Sequence, residues 1–135
     1  MSVFIDTSFL YAFLTARDQW HRFAVSVPWP VHGAVTTSLI VNETVSLLQS
    51  RGLFSRSLEF LQNIRAADNI EIVYAGQQLQ SAGWDSLIIH GGSGANAVDC
   101  TSFALMKQRR IRLAYTFDKH FHQAGFHTLL PDSSL

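Results

Sequence analysis

Apolar residues along this chain gather in short runs, and several of those runs stop at an acidic or hydroxyl residue that opens a helical pattern. Val3-Phe4-Ile5 has the look of a fully buried strand and runs straight into Asp6. Thr7 or Ser8 suits the cap of the next helix, Ser8 to Arg17, in which Phe9, Leu10, Phe13 and Leu14 are spaced for one buried face. Asp18 is placed to cap a second short helix, Gln19 to Val27. Pro28-Trp29-Pro30 ends it, because proline cannot continue a helix. Ala34 to Thr37 reads as a second strand, and its threonines lead into a helix from Ser38 to Ser50 with Leu39, Ile40, Leu47 and Leu48 on the apolar side. Gly52 closes that helix. Ser55 opens another, with Leu58, Leu61 and Ile64 expected inward.

Ile70 to Tyr74 is the third predicted strand and Gln77 to His90 the next helix. Gly91-Gly92-Ser93-Gly94 predicts a flexible break. Asp99 then stands at the start of a helix whose apolar positions are Cys100, Phe103, Ala104 and Met106. Lys107, Arg109 and Arg110 suit the C-terminal end of that helix, where the backbone dipole favours cations. Arg112 to Phe117 predicts a fourth strand that runs directly into Asp118, Lys119 to His122 a helical turn, and Phe126 to Leu130 a fifth strand. This alternation predicts a single three-layer α/β domain over residues 1–135 with a mostly parallel sheet.

In a parallel sheet the carboxyl edge is where ligands bind. Asp6 and Asp118 follow strands directly, Asp99 opens a helix, and Glu43 lies one turn into a helix that itself follows a strand. Glu43 falls on or beside the apolar side of its helix, a costly place for a carboxylate without a partner. Taken singly, Asp99 and Asp118 read first as helix caps and only second as site residues. Four carboxylates brought to one edge would repel each other and call for a cation. Mg²⁺ suits such a set, because it takes oxygen ligands and is typically held by one or two carboxylates plus water.

Composition adds little until these acids are set aside. The chain has 135 residues, 47% of them hydrophobic, enough for one ordinary core. Ten basic and ten acidic residues cancel; without the four site acids, six remain against ten bases, an excess of +4. An acidic pit in a mildly basic surface suits an enzyme acting on a polyanion. Cys100 is the single cysteine, which excludes an intrachain disulfide and a multi-thiolate zinc site and fits a reducing, cytoplasmic setting. The N-terminal segment lacks a basic n-region, and no apolar run approaches the ~20 residues of a membrane span.

Other chemistry is weaker. His120 and His122 lie just after Asp118, but an i, i+2 pair does not share a helix face, so both are expected at the surface, with His120 kept as a phosphate contact. Cys100 has the apolar helix neighbours of a buried structural thiol. Ser93 sits in neither a nucleophile elbow nor a phosphate loop. Arg109, Arg110 and Arg112 form the densest basic patch, read first as a solvated helix end and second as a contact for the backbone of a polyanion.

Four stretches together resemble the PIN-domain family, in particular the VapC-like ribonuclease toxins of type II toxin–antitoxin pairs. They are Phe4 to Leu14, Thr36 to Thr44, Val98 to Met106, and Tyr115 to Phe121 with Gln123-Ala124-Gly125-Phe126 after it. The resemblance implies a PIN-like fold, a five-stranded parallel sheet between helices, with Asp6, Glu43, Asp99 and Asp118 at the family's four acidic positions. It implies a Mg²⁺ or Mn²⁺ site at those residues, with Ser8 supporting the first aspartate. It also implies endonucleolytic cleavage of RNA, homodimerisation, and a small antitoxin that blocks the site, for which the side bearing Trp20 and Trp29 is the expected contact. Two features depart from the family pattern: Val98 stands where threonine or serine commonly precedes the third aspartate, and the Gly91–Gly94 stretch is unusually glycine-rich. Asn96 is the residue expected to support Asp99 instead. These departures keep open a second expectation, a catalytically weak or inactive module that binds RNA or a protein.

Overall fold

A computed structural model describes residues 2–30 and 32–130. Strand β1 (Val3–Ile5) is central. It pairs in parallel with β2 (Ala34–Thr37) on one side and β4 (Ala114–Tyr115) on the other, and β3 (Ile70–Val73) adds to β2. The sheet order is therefore β3-β2-β1-β4, all parallel. Phe4 and Ile5 are almost wholly buried, which explains why β1 reads as a continuous apolar run rather than an alternating one. Helices α1 (Thr7–Leu14), α2 (His21–Ser26), α3 (Ser38–Ser50), α4 (Phe54–Ala66), α5 (Gln77–His90), α6 (Ala97–Arg109) and α7 (Lys119–Gln123) complete the chain.

The register carries the function. Ile5 pairs with Tyr115, so the residues after β1 and β4, Asp6 and Thr116, leave the sheet side by side. On the other side Thr36 Oγ1 donates to the Ile5 carbonyl at 2.9 Å, a buried bond that ties β2 to the end of β1. Thr37 then caps α3 by accepting from the Ile40 N–H at 3.1 Å.

Several expectations change. Helix α1 is shorter than Ser8–Arg17 and is capped by Asp6, and α2 is shorter than Gln19–Val27 and lacks a side-chain cap. Four further differences have clear physical causes. Phe126–Leu130 does not form a fifth strand: it contributes a single parallel bridge, Leu113 to His127, so the sheet has four strands. His127 exchanges two backbone bonds there, donating to Arg112 O and accepting from Ala114 N, and the ladder ends. Strand β4 is shorter than the predicted Arg112–Phe117 because side chains take the next amides. Phe117 N donates to Ser8 Oγ and Asp118 N to Thr116 Oγ1. In α4 the buried face is Ser57, Phe60 and Ile64, and Leu58 is turned out at 53% exposure. Buried Ser57 is tolerated because its hydroxyl donates to Phe54 O. In α1, Phe13 is 42% exposed while Phe9, Leu10 and Ala12 pack inward.

Helix α6 is the most enclosed, buried continuously from Asp99 to Met106, with Cys100 inside the core. It packs against α5 through Gly83, where even a methyl group would stand 3.0 Å from Thr101 Cα. No described helix is long and apolar enough to cross a membrane.

Candidate active site

Asp6 forms the N-cap of α1 and is 3% exposed. One of its oxygens, Oδ2, is held by two hydroxyls. Thr116 Oγ1 donates at 2.8 Å and Ser8 Oγ at 2.9 Å, with the Ser8 N–H more distant at 3.4 Å. The two hydroxyl oxygens are 3.0 Å apart and also accept the Phe117 and Asp118 amides, so one small network locks the ends of β1 and β4 together. Burial pushes the Asp6 carboxyl up to about 7. The Thr116 and Ser8 bonds oppose that shift, and the charges of Asp99 and Asp118 add to it.

Asp99 is the third residue of α6 and part of a reciprocal cap. Asn96 Oδ1 accepts the Asp99 N–H at 2.9 Å, and Asp99 Oδ2 accepts the Asn96 N–H at 3.0 Å. Asn96 thus orients Asp99 through the backbone, while Val98 packs against the core. Burial raises the Asp99 carboxyl to about 6. The Asn96 bond lowers it, Asp118 and Glu43 raise it further, and His120 lowers it.

Asp118 caps α7, and its Oδ1 accepts both the His120 N–H at 2.9 Å and the His120 ring Nδ1 at 2.6 Å. Ligand atoms of Asp99, Asp118 and His120 all lie within 4.8 Å of one another. Asp6 and Glu43 lie outside that tight group and reach it by charge: Asp6 feels Asp99 and Asp118, and Asp99 feels Glu43. The half-buried Glu43 side chain comes from α3.

Two participants are not visible in the sequence pattern. Thr116 reads only as a strand residue, yet it is fully buried and bonds Asp6. The i, i+2 spacing to His122 places His120 at the surface, but as the second residue after a capping aspartate it folds back on the cap. The glycine stretch explains how. Gly91–Ser93 form a single 3₁₀ turn, and Gly94 follows at φ +107°, where a Cβ would stand 2.8 Å from His120 Nε2. Gly94→Ala should therefore cost the left-handed strain of about 1–2 kcal/mol plus the clash with His120. In a His120→Ala background the loss should shrink to the strain alone, a coupling that thermal denaturation of the four variants reads directly. An equal loss in both backgrounds would contradict the contact.

Of the basic patch, Arg109 pairs with Glu71 through two bonds, at 2.7 and 2.9 Å, and so serves as a helix-end ion pair. Trp20 lies flat against Phe117, their ring centroids 5.1 Å apart, and Trp29 packs on the core.

The donor set fits a hard divalent cation. Carboxylate oxygens predominate, with the His120 ring nitrogen beside them, and burial and mutual repulsion hold the Asp6 and Asp99 carboxyls well above the usual carboxylate range. A dication would relieve both penalties.

The chain matches the PIN domain family over residues 3–127. It is 33% identical to a Mycobacterium tuberculosis protein named 23S rRNA-specific endonuclease VapC20, over 96% of this chain and 99% of that one. The crystal structure of that VapC20, titled a Sarcin-Ricin loop cleaving toxin, superimposes with a TM-score of 0.82 at 30% identity, covering 92% of this chain and 95% of that one. A toxin–antitoxin complex from Klebsiella pneumoniae gives a TM-score of 0.65 at 12% identity, over 96% of this chain and 97% of that one. VapBC-1 from nontypeable Haemophilus influenzae gives 0.58 at 12% identity, over 95% and 96%. At that identity the last two show the fold alone. By its sequence and its architecture, the chain belongs to the PIN-domain family and, within it, to the VapC-like proteins.

Proposed function

We propose that this chain is a divalent-metal-dependent endoribonuclease and the toxin of a toxin–antitoxin pair. The observation that supports the reading most is the close group of Asp99, Asp118 and His120, with Asp6 and Glu43 near enough to act on it by charge. Likeness to a 23S rRNA-specific endonuclease supports RNA as the substrate class.

Asp6, Glu43, Asp99 and Asp118 would hold Mg²⁺ or Mn²⁺. Such an ion, when bound, lowers the pKa of water and stabilises negative charge developing on a phosphodiester. The chain's own contribution is position. Ser8 and Thr116 fix Asp6 by one oxygen, Asn96 fixes Asp99, and the backbone of α7 fixes Asp118. The 2.6 Å bond to Asp118 holds the His120 ring at the same cluster, where it would contact a substrate phosphate. No protein nucleophile is required, and Cys100 is buried away from solvent. With Asn96 holding Asp99, the hydroxyl missing at Val98 has a substitute, which favours the active enzyme over the inactive module. Cleavage of sarcin–ricin-loop RNA in Mn²⁺, lost on chelation, is the test; cleavage that survives chelation would refute the metal role.

Partners follow from exposed apolar faces. On α5, Trp84, Ile88 and Ile89 stand in solvent, Ile88 at 84% exposure, a face suited to a second copy of the chain. Phe13, Phe23 and Val25 on α1 and α2, with Phe54 and Leu58 on α4, offer a second face for a small antitoxin. Sizing tests both. Wild type should run as a dimer, Ile88→Asp as a monomer, and co-expression with the neighbouring reading frame should give a larger complex with suppressed cleavage. A wild-type monomer, or no complex, would overturn the corresponding partner.

A further inference from the structure

We propose that the cleft between α1, the turn after it, and the α3–α4 corner is the track along which a single RNA strand reaches the carboxylates. The proposal rests on the endoribonuclease reading and adds to it the surface that holds the substrate. The cleft encloses about 1090 Å³ and is walled by Tyr11, Arg17, Trp20, Arg51 and Arg56. Ser8 and Phe117 also line it. Ser8 is the residue whose hydroxyl binds Asp6, and Phe117 lies between Thr116 and Asp118, so the cleft and the carboxylate network share a wall.

The charge of the cleft is one-sided. Three of the chain's ten Lys and Arg residues line it, all exposed, against a single acid, Asp18. Asp18 Oδ2 already accepts the Trp20 N–H at 2.9 Å. The Arg51 guanidinium sits 5.9 Å from the Tyr11 ring centroid, which orders it without neutralising it. Arg56 has only a solvent-exposed contact of 3.5 Å with Glu59, too weak to withhold it from a phosphate. By contrast Arg109, in the densest basic stretch of the sequence, is committed to Glu71.

Positive side chains along a groove, with aromatic rings between them, are how single-stranded nucleic acids are held without base-specific readout. Tyr11 and the half-buried Trp20 supply the rings. Leu14, Leu47 and Leu53 are also in the lining, so what suits the cleft to a polyanion is its three arginines against one acid. A strand cut at Asp6 and Asp118 must leave along some wall, and this one is continuous with the site and complementary in charge.

The test uses the full chain carrying Asp99→Asn, so that RNA is bound without being cut. A fluorescein-labelled single-stranded RNA is titrated by anisotropy across a series of KCl concentrations. Changing Arg17, Arg51 and Arg56 together to glutamine should weaken binding at least about tenfold and reduce the salt slope by roughly 0.7 for each phosphate no longer neutralised, about 2 in all. Arg65→Gln, on the exposed end of α4, should leave both unchanged. Mn²⁺ affinity of the triple variant, measured with the native Asp99, should match wild type. Unaltered RNA affinity and salt slope in a folded triple variant would overturn the proposal. Binding of poly-glutamate in the cleft with RNA unaffected would also overturn it, in favour of an acidic protein partner. If the unmodified chain fails to cleave RNA in Mn²⁺ while the arginine effect persists, the endoribonuclease reading fails and the cleft stands. Cleavage with no arginine effect gives the reverse.

Discussion

Asp99→Asn should reduce RNA cleavage by about 100- to 1000-fold or more, the scale on which removing one group that stabilises transition-state charge acts, while leaving the fold intact. Asparagine keeps an oxygen where Asp99 Oδ2 now accepts the Asn96 N–H, so the cap at the start of α6 survives. What disappears is the negative charge. Asp6→Asn should behave the same way, because its amide oxygen can still accept from Ser8 and Thr116. In each case RNA binding should persist, so the loss falls on turnover. Both variants should also melt at or above the wild-type temperature in chelator at pH 8, since each removes a buried, repelled charge. Lower activity accompanied by a large fall in melting temperature would mean that the carboxylates are structural.

The second large effect is on stability against pH. The Asp6 carboxyl is raised from 3.8 to about 7, so between those values the folded chain binds a proton that the unfolded chain has released. Stability of the metal-free protein should therefore fall as pH rises from about 4 to about 7 and then level off. The difference contributed by Asp6 is up to about 4 kcal/mol on the scale of ~1.4 kcal/mol per pH unit. Asp99, raised to about 6, adds in the same direction over a narrower window. Asp6→Asn should remove most of the slope. Mn²⁺ should reverse it, stabilising the chain far more at pH 8 than at pH 5, because protons compete for the same oxygens. Denaturant titrations of wild type and Asp6→Asn in chelator, at pH 5 and pH 8, decide the matter. Equal pH dependence of the two proteins would contradict it.

How far these residues are legible in the sequence depends on whether their position is local. Asp6 is readable because a buried strand written as an apolar run must end where its acid begins, and Asp118 because it stands between the last apolar run and a helical turn that it caps. Asp99 is readable as the start of a buried helix, and α3 and α5 have their predicted bounds. Thr116 is not readable, because its partner Asp6 is 110 residues away and only the β1–β4 register brings them together. His120 is hidden for a different reason. Helix-face spacing does not govern it; cap geometry does, and there the second residue returns to the capping side chain. Leu58 and Phe13 show the limit of periodicity: a rotation of one residue exchanges Leu58 for Ser57, and hydrophobicity alone prefers the wrong one. The fifth strand fails because strand propensity in Phe126–Leu130 cannot make a ladder against a β4 only two residues long.

In the proposed reading, four carboxylates at the end of β1, the starts of α6 and α7 and the body of α3 make a metal-dependent nuclease. That reading is tested most directly by incubating wild type, Asp6→Asn and Asp99→Asn with sarcin–ricin-loop RNA in Mn²⁺ and in chelator, and mapping the RNA ends. Wild type should make discrete internal cuts in Mn²⁺ alone. Cuts that persist in chelator, or that appear undiminished with either variant, would contradict it.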